Sequence, residues 1–163
     1  MAETLSVADM LPNKFEPKRS SRWVLQIEGI DAFLIKTTAR PSMKIEEIMI
    51  PFINAKRYVA GGFSFSEMSI TLHDPIAPSG AQQVMEWVRT HHESVSGRSG
   101  YADFYKRDIQ LKLLDPIGTV IELWDVKGAF ITEAGYGDLK YEGDTDIVEI
   151  SLSIRFDNAI LQF

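Results

Sequence analysis

Apolar and polar residues alternate with a period of two along most of this chain, and a period near 3.6 appears once. The cleanest alternation runs through residues 146–156: Val148, Ile150, Leu152, Ile154 and Phe156 interleave with Glu149, Ser151, Ser153 and Arg155. A strand of that kind has one buried and one polar face. Further strands are expected at residues 22–28, 32–38, 108–114, 118–124 and 126–132, with a turn at Gly29-Ile30-Asp31 between the first two. Arg40-Pro41 breaks the second run, since proline cannot donate to a ladder and restricts its predecessor.

The stretch IPFINAKRYVAGGFSFSEMSITLHDP, residues 50–75, reads as two strands around a Gly61-Gly62 turn. Its outgoing strand, residues 46–58, carries Ile48, Ile50 and Phe52 on one face and Met49 and Ile53 on the other, the pattern of a strand covered on both sides. Pro51 within it points to an edge or a bend. On the return, Phe63 and Phe65 hold odd positions, whereas Met68, Ile70 and Leu72 hold even ones. A period of two cannot change phase without an inserted residue, which predicts a bulge or sharp bend at Ser66-Glu67.

The single helical signal begins after a Pro-punctuated loop at residues 74–79. Ser79 and Gln82 have capping-box spacing, and Ala81, Val84, Met85, Val88 and His92 share a helical face that Trp87 widens. This predicts a helix to about Ser94, closed by Gly97, Ser99 and Gly100. About seven strands against one helix exclude βαβ winding. The expected fold is mainly β: two packed antiparallel sheets, sandwich or barrel-like, with one flanking α-helix and a long extended β-hairpin.

Composition narrows the function. The 163 residues, 45% of them hydrophobic, suffice for one core, and no Pro/Ser-rich linker divides them. Residues 1–21 are expected to form a polar N-terminal arm without a signal-peptide core, and residues 22–163 a single domain. No stretch is apolar enough for membrane insertion. Lys and Arg number 17 against 23 Asp and Glu, the reverse of a nucleic-acid-gripping surface. Cysteine is absent, which removes thiolate metal sites and cysteine nucleophiles.

Candidate chemistry is thin. His91, His92 and Glu93 are adjacent on a helix and lack the i, i+4 spacing of a zinc site, so they read as a wet helix end. Residues 142–146, EGDTD, lack the spaced ligands of a calcium loop and read as a turn. Neither GRSG at Gly97 nor YVAGG at Tyr58 has the context of a phosphate-binding loop, and no nucleophile elbow is present. Trp23, Trp87 and Trp124 fall on apolar phases and read as core. No enzyme, metal or cofactor is expected.

A hairpin reaching beyond the core exposes backbone donors and apolar side chains, a liability unless another chain covers them. Residues 45–66 therefore read as an oligomerisation device, with Ile48, Ile50, Phe52, Ile53, Lys56, Arg57, Tyr58 and Phe63 at a subunit interface.

The order of these features resembles the tail tube proteins of contractile-tailed bacteriophages, a family related to type VI secretion tube proteins. The likeness spans residues 17–163: a short arm, the Trp23 strand, TTARPSMKIEEIMIPFINAKRYVAGG followed by FSFSEMSITLHDP, a helix with MEWV, and a β-rich second half. It implies hexameric rings stacked into a tube inside a contractile sheath, with DNA passing through the channel during ejection. It further implies a virion tail component, assembled in the host cytoplasm, with sheath, baseplate and tail-terminator proteins as partners. On that reading the hairpin is long because its partners lie in other subunits, and Ser64, Ser66, Glu149, Ser151 and Ser153 are candidates for the channel wall. Tubes of type VI secretion or phage-derived bacteriocin systems are the alternative within the fold. A small β-sandwich ligand-binding or hydrolytic domain is the alternative outside it, and a pocket with converging polar groups would favour it.

Overall fold

A computed structural model describes residue 10 and residues 14–143 and 145–163. Residues 1–9 and 11–13 of the expected arm, and Asp144 of the EGDTD turn, lie outside the described residues. Among the described residues nine strands appear: β1 Trp23–Ile27, β2 Ile35–Thr38, β3 Met43–Phe52, β4 Ala55–Phe65, β5 Met68–His73, β6 Arg107–Leu114, β7 Val120–Gly135, β8 Glu149–Arg155 and β9 Asn158–Leu161. Helix α1, Gly80–His91, and a single turn α2, Ala102–Tyr105, lie between β5 and β6.

All described strand pairs are antiparallel. One layer runs β1-β6-β7-β9 and the other β7-β8-β5-β2, so the 16-residue β7 serves both. Its first half pairs with β6 and β9, its second half with β8. Alternation decides what lies between the layers. Leu25 and Ile27, Ile109 and Leu111, Ile70 and Leu72, and Ile150, Leu152 and Ile154 are all buried in one cluster. Val84 and Trp87 of α1 join that cluster. The Ser79 hydroxyl accepts the Gln82 amide and starts the helix, as the capping pattern predicts.

Gly128 explains how one strand serves two sheets. It lies between the two halves of β7 with φ of 66°, a left-handed conformation open to glycine without strain. A Cβ there would come within 2.2 Å of an Asp157 carboxylate oxygen. Asp157 in turn donates its amide to the Lys127 carbonyl, where the chain passes from β8 into β9. Gly128→Ala is expected to destabilise the fold by about 2–3 kcal/mol, from the left-handed backbone and the displaced carboxylate together. At this chain length that lowers the melting temperature by roughly 5–10 °C. A thermal melt followed by circular dichroism checks it, and an unchanged midpoint would show that the crossover tolerates a side chain.

Several expectations need correction. The run at residues 118–132 is one bent strand, not two, because Asp125 and Val126 continue the pairing with β6 and the bend falls at Gly128. Residues 32–34 form a 3-10 turn, which delays β2 to Ile35. The last alternating strand begins at Glu149, and β9 follows it unanticipated. Helix α1 stops at His91, leaving His92 exposed at the cap, and Trp87 lies at the centre of its buried face.

Candidate assembly surface

Among the described residues, strands β3 and β4 pair only with each other and stand apart from both layers. The turn joining them is not Gly61-Gly62. Phe52 pairs with Ala55, so the connection is the two-residue loop Ile53-Asn54. Gly61-Gly62 lies inside β4, where the register slips: Ile45 faces Phe63, but Glu47 faces Ala60. One extra residue on β4 makes a β-bulge, and glycine suits it because a Cβ on Gly61 would come within 2.9 Å of Ile48 Cγ1. The phase change predicted at Ser66-Glu67 is the gap between β4 and β5, where the hairpin leaves the sandwich.

At the tip, Ile53 has φ of 53°. A β-branched residue in that region is a strained outlier, at a position that glycine or asparagine would occupy at lower cost. It is also 88% exposed. Along the ribbon Ile48 faces Val59, Met49 faces Tyr58 and Ile50 faces Arg57. Ile48, Ile50, Phe52, Tyr58 and Phe63 are all exposed, as are Met49 and Val59, so both faces are apolar and open. The cover expected for both faces is thus not supplied by the described part of this chain. Pro51 lies on β3, whose outer edge pairs with none of the described strands, as a proline requires. Lys56 and Arg57 flank the tip, while Glu46 and Glu47 lie nearer the root.

The root is held in two ways. Phe63 packs edge-on against Phe65 at 4.8 Å between centroids, and Phe65 lies 5.3 Å from Phe156 of the core. The Ser66 amide donates to the Ser42 carbonyl at 2.9 Å. On the preceding segment Arg40 Nη1 lies 3.5 Å from Glu122 Oε1. Glu122 is 4% exposed, the one charged residue buried among the described residues. It also accepts from Lys18 Nζ and, at 2.6 Å, from Trp124 Nε1. Burial pushes this carboxyl up, but the hydrogen bonds from Lys18 and Trp124 and the charges of Lys18 and Arg40 outweigh it. The group is held below its ordinary range. Sequence reasoning missed Glu122, although a glutamate on the phase of Trp124 and Val126 was a visible signal.

The five wall candidates divide. Glu149, Ser151 and Ser153 share the outer face of β8, opposite His73, Thr71 and Ser69 of β5. Glu149 and Ser153 are half-buried and Ser151 is exposed. Glu149 pairs with Lys36. Ser64 lies on the hairpin opposite Lys44, and Ser66 in the gap behind it, so neither belongs to that sheet. With Glu133 opposite Ser153, and Arg155 beyond it, the sheet face is rich in hydroxyls and balanced in charge. Elsewhere, His91 packs against Tyr105 at 4.5 Å and His92 Nδ1 lies 3.4 Å from the Ser99 hydroxyl, each engaged with a different partner.

No family model matches the chain. It is 25% identical to the tail tube protein gp19 of Enterobacteria phage T4 over 129 residues, covering 77% of this chain and 78% of the relative. Against the tail tube protein of Serratia phage KSP90 the identity is 27%, covering 78% and 72%. In fold it matches a chain of the tube-terminating cap of the anti-feeding prophage, with TM-score 0.74, 14% identity and coverage of 97% and 99%. A chain of the sheath–tube complex of the PVC extracellular contractile injection system matches with TM-score 0.70, 14% identity and coverage of 98% and 99%. Both of these sequence relatives are tail tube proteins, and they support a structural role in a tube.

Proposed function

We propose that this chain is the tail tube subunit of a contractile-tailed phage, forming hexameric rings that stack into a tube and conduct DNA. The observation that carries the proposal is the β3–β4 ribbon, apolar and exposed on both faces with a strained isoleucine at its tip. An isolated two-stranded hairpin is marginal in water, and a long bare one is an aggregation site unless a second copy covers it. Residues 22–163 then form the tube domain, and Ile48, Ile50, Phe52, Ile53, Lys56, Arg57, Tyr58 and Phe63 contact neighbouring subunits. The sequence relatives favour a phage tail over an injection-system tube, whose chains share the fold at 14% identity. Sheath, baseplate and terminator proteins are the partners such a tube takes in a virion. Negative-stain micrographs of the purified protein test the proposal: filaments with a central channel support it, and dispersed particles at all concentrations oppose it.

The outer face of β8 and β5 is proposed as the channel wall. A wall of hydroxyls with balanced charge offers phosphates no grip, because retention of DNA depends on cations that release its counterions. Assembled tubes are therefore expected to bind duplex DNA weakly even at low ionic strength. Ser151→Lys should create affinity that falls with salt, steepening the log–log slope by about 0.9 per phosphate neutralised. Filter binding across a salt series measures both, and tight salt-sensitive binding by the unaltered tube would overturn the conduit.

A further inference from the structure

We propose that Glu122 is a latch that positions the N-terminal arm and the hairpin root together on the sandwich. Three segments distant in sequence meet at this carboxylate: Lys18 of the arm, Arg40 ahead of β3, and Trp124 on Glu122's own strand. The cross-strand neighbour from β6 is Leu113, which supplies no charge. A cavity of about 260 Å³ beside it is lined by Lys18, Arg19, Trp23, Thr38, Arg40 and Leu113, so arm, β1, β2 and β6 all border the same space.

The chemistry favours a shared role over two separate surface pairs. Exposed ion pairs contribute little, because water serves each partner nearly as well. Glu122 is withdrawn from water, so its charge is satisfied by the cations and the indole together. Withdrawing Lys18 leaves the carboxylate to Arg40 and Trp124 and changes the position Arg40 adopts; withdrawing Arg40 acts on Lys18 in the same way. Arm and hairpin, which have no described backbone pairing with each other, are thereby coupled through one side chain. Glu122 is a positioning residue: it touches no partner subunit in this scheme, but it sets where both projecting segments leave the core.

Hydrogen–deuterium exchange of the unassembled subunit tests the latch without reference to tube formation. Two amides report on it. That of Ser66, bound to the Ser42 carbonyl, reads the hairpin root, and that of Leu114, bound to the Arg22 carbonyl at 2.9 Å, reads the arm root. Lys18→Met is expected to speed exchange at Ser66, and Arg40→Met at Leu114, each by about fivefold or more, the lower end of typical coupling. Glu122→Gln should speed both while β8 amides keep their rates. Acceleration confined to each substituted segment would overturn the proposal. Should Glu122→Gln fail to fold, the Lys18 and Arg40 variants decide the matter by themselves. Micrographs of the same variants read assembly separately, so a failed tube reading leaves the exchange result intact.

Discussion

Replacing residues 44–63 with a short Gly-rich turn is expected to leave a folded subunit that forms no tubes. The excised segment contributes nothing to the buried core, and Phe65, which packs against Phe156, is retained. Met43 and the Ser66 to Ser42 hydrogen bond also remain, so the sandwich keeps its closure. What disappears is the ribbon that presents Ile48, Ile50, Phe52 and Ile53. If each subunit contact loses even about 2.7 kcal/mol, the concentration needed for assembly rises about a hundredfold. Sedimentation and electron microscopy measure the loss, and circular dichroism should show a melt within a few degrees of the parent. Filaments of normal appearance from this variant would sink the proposed role of the hairpin.

Leu152→Asp should prevent folding altogether. Leu152 lies on β8 between Ile70 of β5 and Ala134 of β7, and is 2% exposed. A carboxylate there would enter the cluster of buried apolar side chains, and burying an unpaired charge costs more than about 4 kcal/mol. Net stability for a domain is only about 5–15 kcal/mol, so soluble yield should collapse. The neighbouring Ser151 provides the control, since it is exposed and its cross-strand partners are Thr71 and Gly135. Ser151→Asp should express and melt like the parent. Ser153→Asp is a poorer control because Glu133 lies directly opposite, and like charges across a strand pair repel. Equal yields for Leu152→Asp and the parent would refute the inward orientation of this face.

Where one residue type admits one physical reading, the sequence was legible. The alternation from Ile150 to Phe156 and the Ser79 cap were both found where the pattern placed them, although the strand starts at Glu149 and Val148 lies ahead of it. Apolar residues on both faces of β3 identified a surface in need of cover, although in this chain they are exposed. Glycine was the main source of error. Gly61-Gly62 has the composition of a turn and of a bulge alike, and only the cross-strand register of Ile45 with Phe63 distinguishes them. The tip at Ile53-Asn54 carries half a turn signal at best, since an isoleucine with positive φ contradicts the usual preference. Glu122 illustrates a different limit. Its phase in β7 was readable, but Lys18 and Arg40 reach it through tertiary approach, which no local pattern records.

The pairing order of the strands also sets a timetable. The β3–β4 ribbon is closed by a two-residue loop, so all its backbone partners are present once Phe65 has been made. A hairpin of this kind closes in microseconds. The sandwich must wait much longer: β1 has no partner until β6 is made, and β5 lacks one neighbour until β8. Contacts so distant in sequence form slowly, because a long loop has to close before they gain anything. A chain emerging from the ribosome therefore offers its apolar ribbon before it owns a core. The surface proposed to join finished subunits is also the one that nascent copies present to each other first, so on that proposal restraint during synthesis is as much a demand on this fold as adhesion afterwards.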